Sequence, residues 1–392
     1  MLSVTEARAA MLGCVDALAG EDVALEHCLG RVLATPLVAA RDQPPFIASA
    51  MDGYALAQPK QGAPYVLVGE AAAGRAFERA LAPGEAIRIS TGAPAPEGTV
   101  SILIQEEASF EDGRLLRAQT NPGRHLRPRA GDFAAGATLL ERGRLLDPIA
   151  MALAASSGTA TLNVIKRPRA IAFAGGDEIM APGVTVRDDQ VYESGSFAVC
   201  GLGERWGAHA TRGVSLADTE DAIARAVEDA WPKCDLLILI GGASVGPHDH
   251  TRSALARLGA RVVVDKVAVQ PGKPTWFAVT PEGCVLGLPG NPASAIVCAY
   301  LFARPLIEAM LGRDPMACVR PATAPLGSPL GKNGARETYL RARIGEDGRL
   351  TPFENQDSSL LTVFARANAL TIRAPFAEPS AAGDLASYLP LA

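Results

Sequence analysis

A regular alternation of strand-like and helix-like segments between about residues 166 and 314 constrains the fold more than any other feature of this chain. The apolar runs RAIAFAGG and CDLLILIGGASVG are typical of buried strands that end in glycines, and TEDAIARAVEDAW is typical of a helix. A further strand, RVVVDKVAV, precedes CVLGLPGNP and a long apolar helix. This alternation predicts a doubly wound parallel sheet, whose ligands bind at the carboxyl ends of the strands.

A β-rich stretch precedes that region. Residues 41–134 contain the short runs YVLVGEA, EAIRIS and SILIQEE among many glycines and prolines, which is typical of a small β-rich domain. The more helical flanks, 1–40 and 135–165, predict one discontinuous linker domain that carries this insertion. The α/β domain would then cover residues 166–314.

The last stretch, residues 315–392, returns to β character. In YLRARIGEDGRLTPF, side chains alternate along a strand pattern up to an Asp347-Gly348 turn, which predicts a β-hairpin. The whole chain is therefore expected to be a multidomain α/β protein.

The composition is that of an ordinary globular protein. A net charge of −5 and a pI near 5.7 argue against nucleic-acid binding through bulk electrostatic attraction. The first residues show no basic segment followed by an apolar core, so we expect no secretion signal; Ser3 and Glu6 instead fit the capping box of a helix. No apolar run reaches the roughly 18 residues that a membrane span needs.

The seven cysteines are widely spaced and include no Cys-x-x-Cys pair. This pattern favours reduced, mostly buried thiols over a disulfide framework or a zinc ribbon. We therefore expect a cytoplasmic protein.

Two glycine-rich loops follow strands of the α/β region. GGASVGPHDHT begins at Gly241 and contains Gly242 and Ser244; its backbone N–H groups can approach a phosphate, although it matches neither the Walker loop nor G-x-G-x-x-G. A simple tight turn is the alternative. In LPGNPAS, Asn291 and Pro292 fit ordinary helix initiation, but a turn at the carboxyl end of a strand also suits a ligand.

Charged residues accompany these loops. Lys273 lies between a glycine and a proline in VAVQPGKPT, where a rigid turn can hold an oxyanion, and Lys266 lies on the preceding strand. A solvated lysine is the ordinary alternative. Asp177 and Glu178 follow the first strand and either hold Mg²⁺ or form a solvated turn cap.

The triplet His248-Asp249-His250 suggests zinc binding. Three consecutive loop residues cannot complete a tetrahedral zinc site by themselves, and no Cys-His cluster lies nearby in the sequence. We therefore favour Asp249 as a contact for Mg²⁺ or substrate. Because nothing resembles G-x-S-x-G, we do not expect covalent acyl transfer.

Asp52 lies within PPFIASAMDGYA, a run of prolines and small apolar residues. A carboxylate among apolar neighbours is costly to desolvate unless it is paired, hydrogen-bonded or used in chemistry. Asp52 therefore either caps a local turn or points into a site.

Six motifs, taken together and in order, resemble those of one family. They are PPFIASAMDGYA, STGAPAPEG, GGDE, GGASVGPHDHT, QPGKP and LPGNPAS. They look like the motifs of the molybdopterin molybdenumtransferases, the MoeA family, whose eukaryotic relatives include the gephyrin E domain. The resemblance covers essentially the whole chain, including RETYLRARI and SSLLTVFARANAL. SAMDGYA together with LPGNP is a specific combination, whereas a single glycine-rich loop is not.

The resemblance implies a fold and a reaction. The fold would be a homodimer of elongated subunits, each with a linker domain, an inserted β-rich domain, a molybdopterin-binding α/β domain and a C-terminal β-barrel. The reaction would insert molybdenum from molybdate into adenylylated molybdopterin, with Mg²⁺-dependent release of AMP. The implied protein partners are a molybdopterin adenylyltransferase and downstream cofactor-modifying enzymes, with no nucleic-acid or membrane partner.

The resemblance also implies site residues, carried over motif by motif. Asp52 and Thr91 would reach across the dimer into the cleft as catalytic residues, and Glu178 and Asp249 would be catalytic carboxylates that hold Mg²⁺. The implied contacts to pterin, phosphate and oxyanion are Arg129, Gly241, Gly242, Ser244, Lys266, Lys273, Pro289, Asn291, Pro292, Ser294 and Arg341. Asp218 matches the family's acidic set only by approximate position.

Three motifs depart from the family's common pattern. Gln270 replaces a lysine in QPGKP and removes one positive charge from the implied oxyanion site. Glu193 and Gly195 replace Asp and Asn in YESGS, and Asp357 replaces Gly in QDSS. These changes bear on anion affinity and metal choice, and not on the fold.

Other functions stay open at this point. A molybdopterin adenylyltransferase shares the α/β domain but lacks the SAMDGYA module and the C-terminal barrel, and a nicotinamide-nucleotide amidase is disfavoured on the same grounds. A non-catalytic cofactor carrier or scaffold, as the gephyrin relative is in part, would need partner-binding segments or a long linker, and the sequence shows neither.

Overall fold

The structure, a computed structural model, describes residues 1–61, 63–116, 121–217, 219–241 and 250–391. The chain divides into two compact units. The larger unit consists of Met1–Glu21, Gly30–Ala34 and Asn163–Ala392, and the smaller unit consists of Asp22–Leu29 and Thr35–Leu162. The four-domain division stays a prediction.

A six-stranded sheet forms the centre of the larger unit. Its strands, in spatial order, are His209–Arg212, Arg169–Ala174, Leu236–Ile240, Cys284–Leu288, Trp276–Val279 and Arg261–Val264. The first four strands are parallel, as the sequence predicted. Trp276–Val279 runs in the opposite direction, because a tight turn joins it to Cys284–Leu288 as an antiparallel hairpin. Arg261–Val264 pairs antiparallel with it and therefore runs in the same direction as the first four.

Helices cover both faces of this sheet. Side chains of the central strand alternate between two cores, with Ile238 and Ile240 in one and Leu237 and Leu239 in the other. The helices of the first core are Val4–Leu12, Gly195–Arg205 and the segment Pro292–Met310; those of the second core are Glu220–Ala230 and His250–Arg257. The doubly wound arrangement is thereby confirmed.

The segment Pro292–Met310 is the long apolar helix that the sequence predicted. It consists of α-helical Pro292–Cys298 and Arg304–Met310, joined by the π-helical turn Ala299–Ala303. Among the described residues it is the one helix with the length and mean hydropathy, 1.4, to cross a bilayer. Because 89% of its apolar window is buried inside the protein, packing in the core accounts for its composition.

The first helix begins as the capping box predicted. The Ser3 hydroxyl accepts a hydrogen bond from the Glu6 amide (3.2 Å), and the Glu6 carboxylate accepts one from the Ser3 amide (2.8 Å). Two orphan N–H groups of the helix Val4–Leu12 are thus satisfied reciprocally.

A second sheet forms the C-terminal part of the larger unit. Its strands are, in order, Val269–Gln270, Glu337–Ile344, Ala369–Arg373, Leu385–Pro390 and Ala322–Pro325, with Leu350–Pro352 paired to Glu337–Ile344. That last pair is antiparallel and confirms the predicted hairpin. The resemblance implied a β-barrel here, and the structure shows a β-rich domain. Within residues 250–391 the hydrogen-bonded strands do not form a closed ladder, and a single bridge between Leu326 and Leu350 links its ends.

The smaller unit is built on a four-stranded sheet. Its strands are, in order, Val66–Ala71, Glu85–Ile89, Gly53–Leu56 and Ser101–Ile104. Three of them are the β-type runs that the sequence predicted. The fourth, Gly53–Leu56, was not predicted, because only its antiparallel partners on both sides make GYAL a strand.

Short elements complete the chain. The paired short strands are Leu37–Val38 with Thr138–Leu140, Ala48–Ser49 with Leu126–Arg127, Phe110–Glu111 with Arg114–Leu115, and Ile179–Met180 with Val191–Tyr192. The remaining helices are Pro148–Ser156 and Leu361–Phe364, with 3₁₀ turns at Leu25–His27, Gln105–Glu107, Trp231–Lys233 and Ala317–Val319. The two units divide within the strands Gly20–Ala24 and Thr161–Ile165.

All seven cysteines are free thiols, and five of them are buried. Burial raises the pKa of Cys200 and of Cys284 to about 11, and that of Cys298 to about 12. At neutral pH these thiols are protonated and therefore weakly nucleophilic.

We expect Gly53→Ala to destabilise the smaller unit by more than about 1 kcal/mol. A Cβ at this position would lie 2.0 Å from the carbonyl oxygen of Leu103 on the neighbouring strand, so the two strands could not keep their spacing. Chemical denaturation measures the loss. Gly331→Ala, where a Cβ meets nothing within 4 Å, is the control and should leave stability unchanged; equal effects of the two variants would contradict this account.

Candidate functional site

The main cavity of the larger unit lies at the carboxyl ends of three parallel strands. It has a volume of about 760 Å³. The residues that line it include Gly175, Gly176, Glu178, Tyr192, Glu193, Gly241, Pro289, Asn291, Pro292 and Ser359. This is the position at which a doubly wound sheet holds a ligand.

Glycines let these strand ends lie side by side. The Gly175 amide donates to the Ile240 carbonyl at 2.9 Å, and the Gly241 amide donates to the Leu288 carbonyl at 3.1 Å. Gly241 has a φ of +81°, and a Cβ there would lie 2.7 Å from the carbonyl oxygen of Gly175. A side chain at residue 241 would therefore push the ends of the neighbouring strands apart.

A second cavity, of about 440 Å³, adjoins the first and shares Pro274, Pro289 and Asn291 with it. The other residues that line it include Gln270, Lys273, Ser294, Arg336, Thr338, Gln356, Asp357 and Ser358. Lys273 and Arg336 give this second cavity two cations, which suit an oxyanion.

The turn that carries Lys273 is held rigidly against the core. Gly272 has a φ of +123°, and a Cβ there would lie 2.2 Å from the sulfur of Cys298. The Thr275 hydroxyl donates to the Gly272 carbonyl at 2.8 Å. The prediction that Lys266 lies on a strand is wrong: it lies between the strands Arg261–Val264 and Val269–Gln270, because these two strands pair in different sheets. It is half-buried and is not among the residues that line either cavity.

Glu193 is a buried carboxylate at the wall of the main cavity. It is 5% exposed and accepts hydrogen bonds from the Ser196 amide (2.7 Å), the Ser196 hydroxyl (2.8 Å) and Arg212 (3.1 Å). It therefore caps the helix Gly195–Arg205 in place of Ser194, whose side chain makes no capping bond. Glu178, by contrast, is exposed at the opening.

Arg341 is buried and lines neither cavity. Its guanidinium donates to the side-chain oxygen of Gln356 (3.2 Å) and to the carbonyls of Asp357 (2.8 Å) and Leu360 (3.3 Å). It thereby fixes the segment from Gln356 to Leu360, whose residues line both cavities; we call this segment the 356–360 loop. Burial lowers the pKa of the Arg341 guanidinium from its usual high value.

The 356–360 loop is also joined to the start of the helix at Pro292. The Asn291 amide nitrogen donates to the Ser358 hydroxyl at 2.8 Å, and the Ala293 amide donates to the Ser358 carbonyl at 3.1 Å. Asn291 thus does not cap its own helix through its side chain, although Pro292 is the first helical residue, as predicted. The loop and the helix together form the wall shared by the two cavities.

In the smaller unit, Asp52 is exposed and lies beside Thr91. Its Oδ1 accepts hydrogen bonds from the Thr91 amide (2.7 Å) and the Thr91 hydroxyl (3.1 Å). The sequence left open a local turn cap or a place in a site for Asp52; Thr91 is 39 residues away in sequence, so neither of these two bonds is a local turn bond. Because Asp52 is exposed, its carboxylate stays in contact with water and the desolvation cost at this position is small.

Arg129 binds Asp42 within the smaller unit. Its Nε lies 2.5 Å from the Asp42 carboxylate, which also accepts a hydrogen bond from the Ala135 amide at 2.9 Å. The Ala135 amide, and secondarily Arg129, hold the pKa of Asp42 below its usual value. Arg129 therefore has a structural partner in this unit.

Three family models match the chain in order. They are described as the MoeA N-terminal region (domain I and II), over residues 2–158, the "Probable molybdopterin binding domain", over 172–309, and the MoeA C-terminal region (domain IV), over 323–391. A Mycobacterium tuberculosis protein named Molybdopterin molybdenumtransferase 2 is 35% identical over 343 residues, which cover 82% of this chain and 84% of that protein. The chain belongs to the molybdopterin molybdenumtransferase family.

Two further relatives agree. A Nostoc sp. protein named Molybdopterin molybdenumtransferase is 32% identical over 362 residues, covering 88% of this chain and 82% of the relative. The crystal structure of a molybdopterin biosynthesis MoeA protein from Pyrococcus horikosii superposes with a TM-score of 0.88 at 26% identity, covering 100% of this chain and 99% of that one. The multidomain α/β fold and the family resemblance predicted from the sequence are therefore confirmed.

The structure brings together one part of the site expected for this molybdopterin molybdenumtransferase family. The implied residues that line the two cavities are Glu178, Gly241, Lys273, Pro289, Asn291, Pro292 and Ser294. Asp218, Gly242, Ser244, His248 and Asp249 lie outside the described residues.

Sequence reasoning missed Arg336 and the role of the 356–360 loop. RETYLRARI was recognised as a motif, but its first arginine, which lines the second cavity, was passed over in favour of Arg341. Strand alternation could not have singled it out, because Arg336 precedes the strand Glu337–Ile344 and the consecutive residues Thr338, Tyr339 and Leu340 all line the cavity.

We expect Arg341→Met to destabilise the protein by about 1–3 kcal/mol, because it leaves three acceptors of the 356–360 loop without their donor. Ligand affinity at both cavities should fall with it. Arg343→Met, at an exposed position further along the same strand, is the matched control and should change neither property. Chemical denaturation and calorimetric titration measure the two effects; an Arg341→Met protein with unchanged stability and affinity would contradict the positioning role.

Proposed function

We propose that this protein inserts molybdenum into adenylylated molybdopterin, with molybdate as the metal source and AMP as a product. The observation that carries the proposal is the pair of adjoining cavities, which share one wall at Pro274, Pro289 and Asn291. Their volumes lie in the range of small-molecule sites. The main cavity suits a pterin and its phosphates, and the second cavity suits an oxyanion.

The proposed chemistry needs charge balance more than a strong nucleophile. Water cleaves the phosphoanhydride link, which gives AMP and molybdopterin phosphate. Molybdate then forms two bonds to the dithiolene sulfurs, and one of its oxygens leaves as water with the two thiol protons. Lys273 and Arg336 would hold the oxyanion beside the main cavity.

Magnesium is part of the proposal. No group of three or more Asp, Glu, His or Cys residues with metal-binding geometry occurs in the described part of the chain. Mg²⁺ at nucleotide sites is commonly held by one or two carboxylates together with substrate phosphates, so Glu178 at the cavity opening fits such an ion. The ion would neutralise charge on the phosphates. Asp249 stays a prediction as a second ligand.

We expect AMP release from adenylylated molybdopterin to require both molybdate and Mg²⁺. Glu178→Gln should lower the rate at least about tenfold and leave the fold intact. Asp189→Asn removes the same charge from an exposed residue that lines neither cavity, and it should retain the wild-type rate. Tight pterin binding without AMP release would favour the cofactor carrier or scaffold, and pyrophosphate release from ATP would favour an adenylyltransferase.

We also propose that the protein is a homodimer in which Asp52 and Thr91 of one subunit complete the main cavity of the other. Asp52 is exposed, and large apolar side chains stand exposed near it in sequence, at Phe46, Ile47 and Met51. Exposed apolar groups beside a carboxylate are typical of a surface that is covered in an assembly. Thr91 would orient the carboxylate through its two hydrogen bonds.

Mixed dimers should test this arrangement. Asp52→Asn and Lys273→Ala should each abolish most of the AMP release as homodimers. When the two variants are mixed and allowed to exchange subunits, one site in the mixed dimer is intact, so up to about half of the wild-type rate per dimer should return. Exchange followed by the AMP assay measures this. No recovery despite exchange would contradict a site shared between subunits.

The remaining expectations join this proposal. They are the four-domain division, a cytoplasmic location, roles for Arg129, Lys266 and Arg341 at the substrate, and work beside a molybdopterin adenylyltransferase and cofactor-modifying enzymes. The bond from Arg129 to Asp42 and the loop contacts of Arg341 support positioning roles for these two arginines.

A further inference from the structure

The second cavity carries an unusual charge balance for an oxyanion site. Its charged lining residues are the two cations Lys273 and Arg336 and one carboxylate, Asp357. An ionised carboxylate is an acceptor only, so it repels an oxyanion that has no proton to donate. A site for fully ionised oxyanions gains nothing from such a group.

Gln270 keeps Arg336 at the cavity without adding charge. The Arg336 guanidinium donates to the Gln270 side-chain oxygen at 3.1 Å and to the Val269 carbonyl at 3.2 Å. Neither partner is a carboxylate, so the positive charge of Arg336 is not neutralised by them. A lysine at residue 270 could not accept this bond and would repel Arg336.

Asp357 is held at the cavity by its own loop. Its Oδ1 accepts hydrogen bonds from the Ser359 hydroxyl (2.6 Å) and the Ser359 amide (2.9 Å), while its carbonyl accepts from Arg341 (2.8 Å). The hydroxyl and then the amide of Ser359 lower the pKa of Asp357, so it is ionised at neutral pH. Within the described part of the chain, no hydrogen bond to Oδ2 is recorded.

We propose that Asp357 is a specificity-determining residue of the second cavity, which accepts a hydrogen bond from an oxyanion that carries a proton and disfavours one that does not. Hydrogen phosphate and phosphate monoesters in their protonated form belong to the first class; molybdate, tungstate and sulfate at neutral pH belong to the second. The inference rests on the proposed function in that molybdate is the oxyanion expected to reach this cavity. Asp357 would then lower the affinity for molybdate.

Hydrogen phosphate and sulfate are dianions of similar shape, and only hydrogen phosphate carries a proton. Comparing their affinities therefore separates the effect of the proton from the effect of the charge. At about pH 8.5 inorganic phosphate is mostly the hydrogen phosphate dianion, whereas sulfate is a dianion with no proton. The full-length protein is titrated calorimetrically with each, and with molybdate. Lys273→Ala, which should weaken binding at the second cavity, identifies the titration that belongs there.

We expect the wild-type protein to bind hydrogen phosphate about tenfold more tightly than sulfate or molybdate. Asp357→Asn, whose amide can both donate and accept, should remove this preference, mainly by tighter binding of sulfate and molybdate. Glu354→Gln removes the same charge from an exposed residue nearby that does not line the cavity and should keep the preference.

A wild-type protein without the preference, or a preference equally present in Asp357→Asn, would overturn the inference. So would a preference lost equally in Glu354→Gln. The proposed function is judged separately by AMP release: molybdate-dependent release together with an unchanged preference in Asp357→Asn defeats this inference alone. Absence of that release with the expected preferences defeats the proposed function alone.

Discussion

The burial of strand Leu236–Ile240 on both faces is the constraint on which the larger unit depends. All five of its residues are buried, and they alternate between two cores. A strand without a solvent face needs a covering layer on each side. The helices fill these layers and leave the ends of the strands as the open edge, and that is where both cavities lie.

The cavities themselves are shaped from outside the sheet. The 356–360 loop comes from the C-terminal part of the larger unit, and Arg341 and Asn291 attach it to the strand beneath it and to the helix that follows the central sheet. The side chains of Arg341, Asn291 and Asp357 thus hold a segment with no regular structure of its own between residues 356 and 360. Because these bonds fix the loop, the polar groups that it presents to a ligand are preorganised.

Charge in the site is divided between the two cavities. The charged residues that line the main cavity are the carboxylates Glu178, at its opening, and Glu193, which is occupied as a helix cap. The second cavity has Lys273 and Arg336 set against Asp357. Carboxylates at the main cavity suit a substrate whose phosphates arrive with a cation, whereas the second cavity carries charges of both signs.

Local patterns in the sequence determined several elements: the buried apolar strands of the central sheet, the capping box at Ser3, the hairpin at Gly348 and the long apolar helix. Six motifs in a fixed order also determined the family. The tertiary structure decided what depends on partners distant in sequence. RVVVDKVAV divides between two sheets because Arg261–Val264 pairs with Trp276–Val279 and Val269–Gln270 pairs with the C-terminal sheet. Arg341 is buried and bonded to the 356–360 loop, whereas Arg336 lines the second cavity bonded to Val269 and Gln270, because each arginine has its partners in a different segment of the chain.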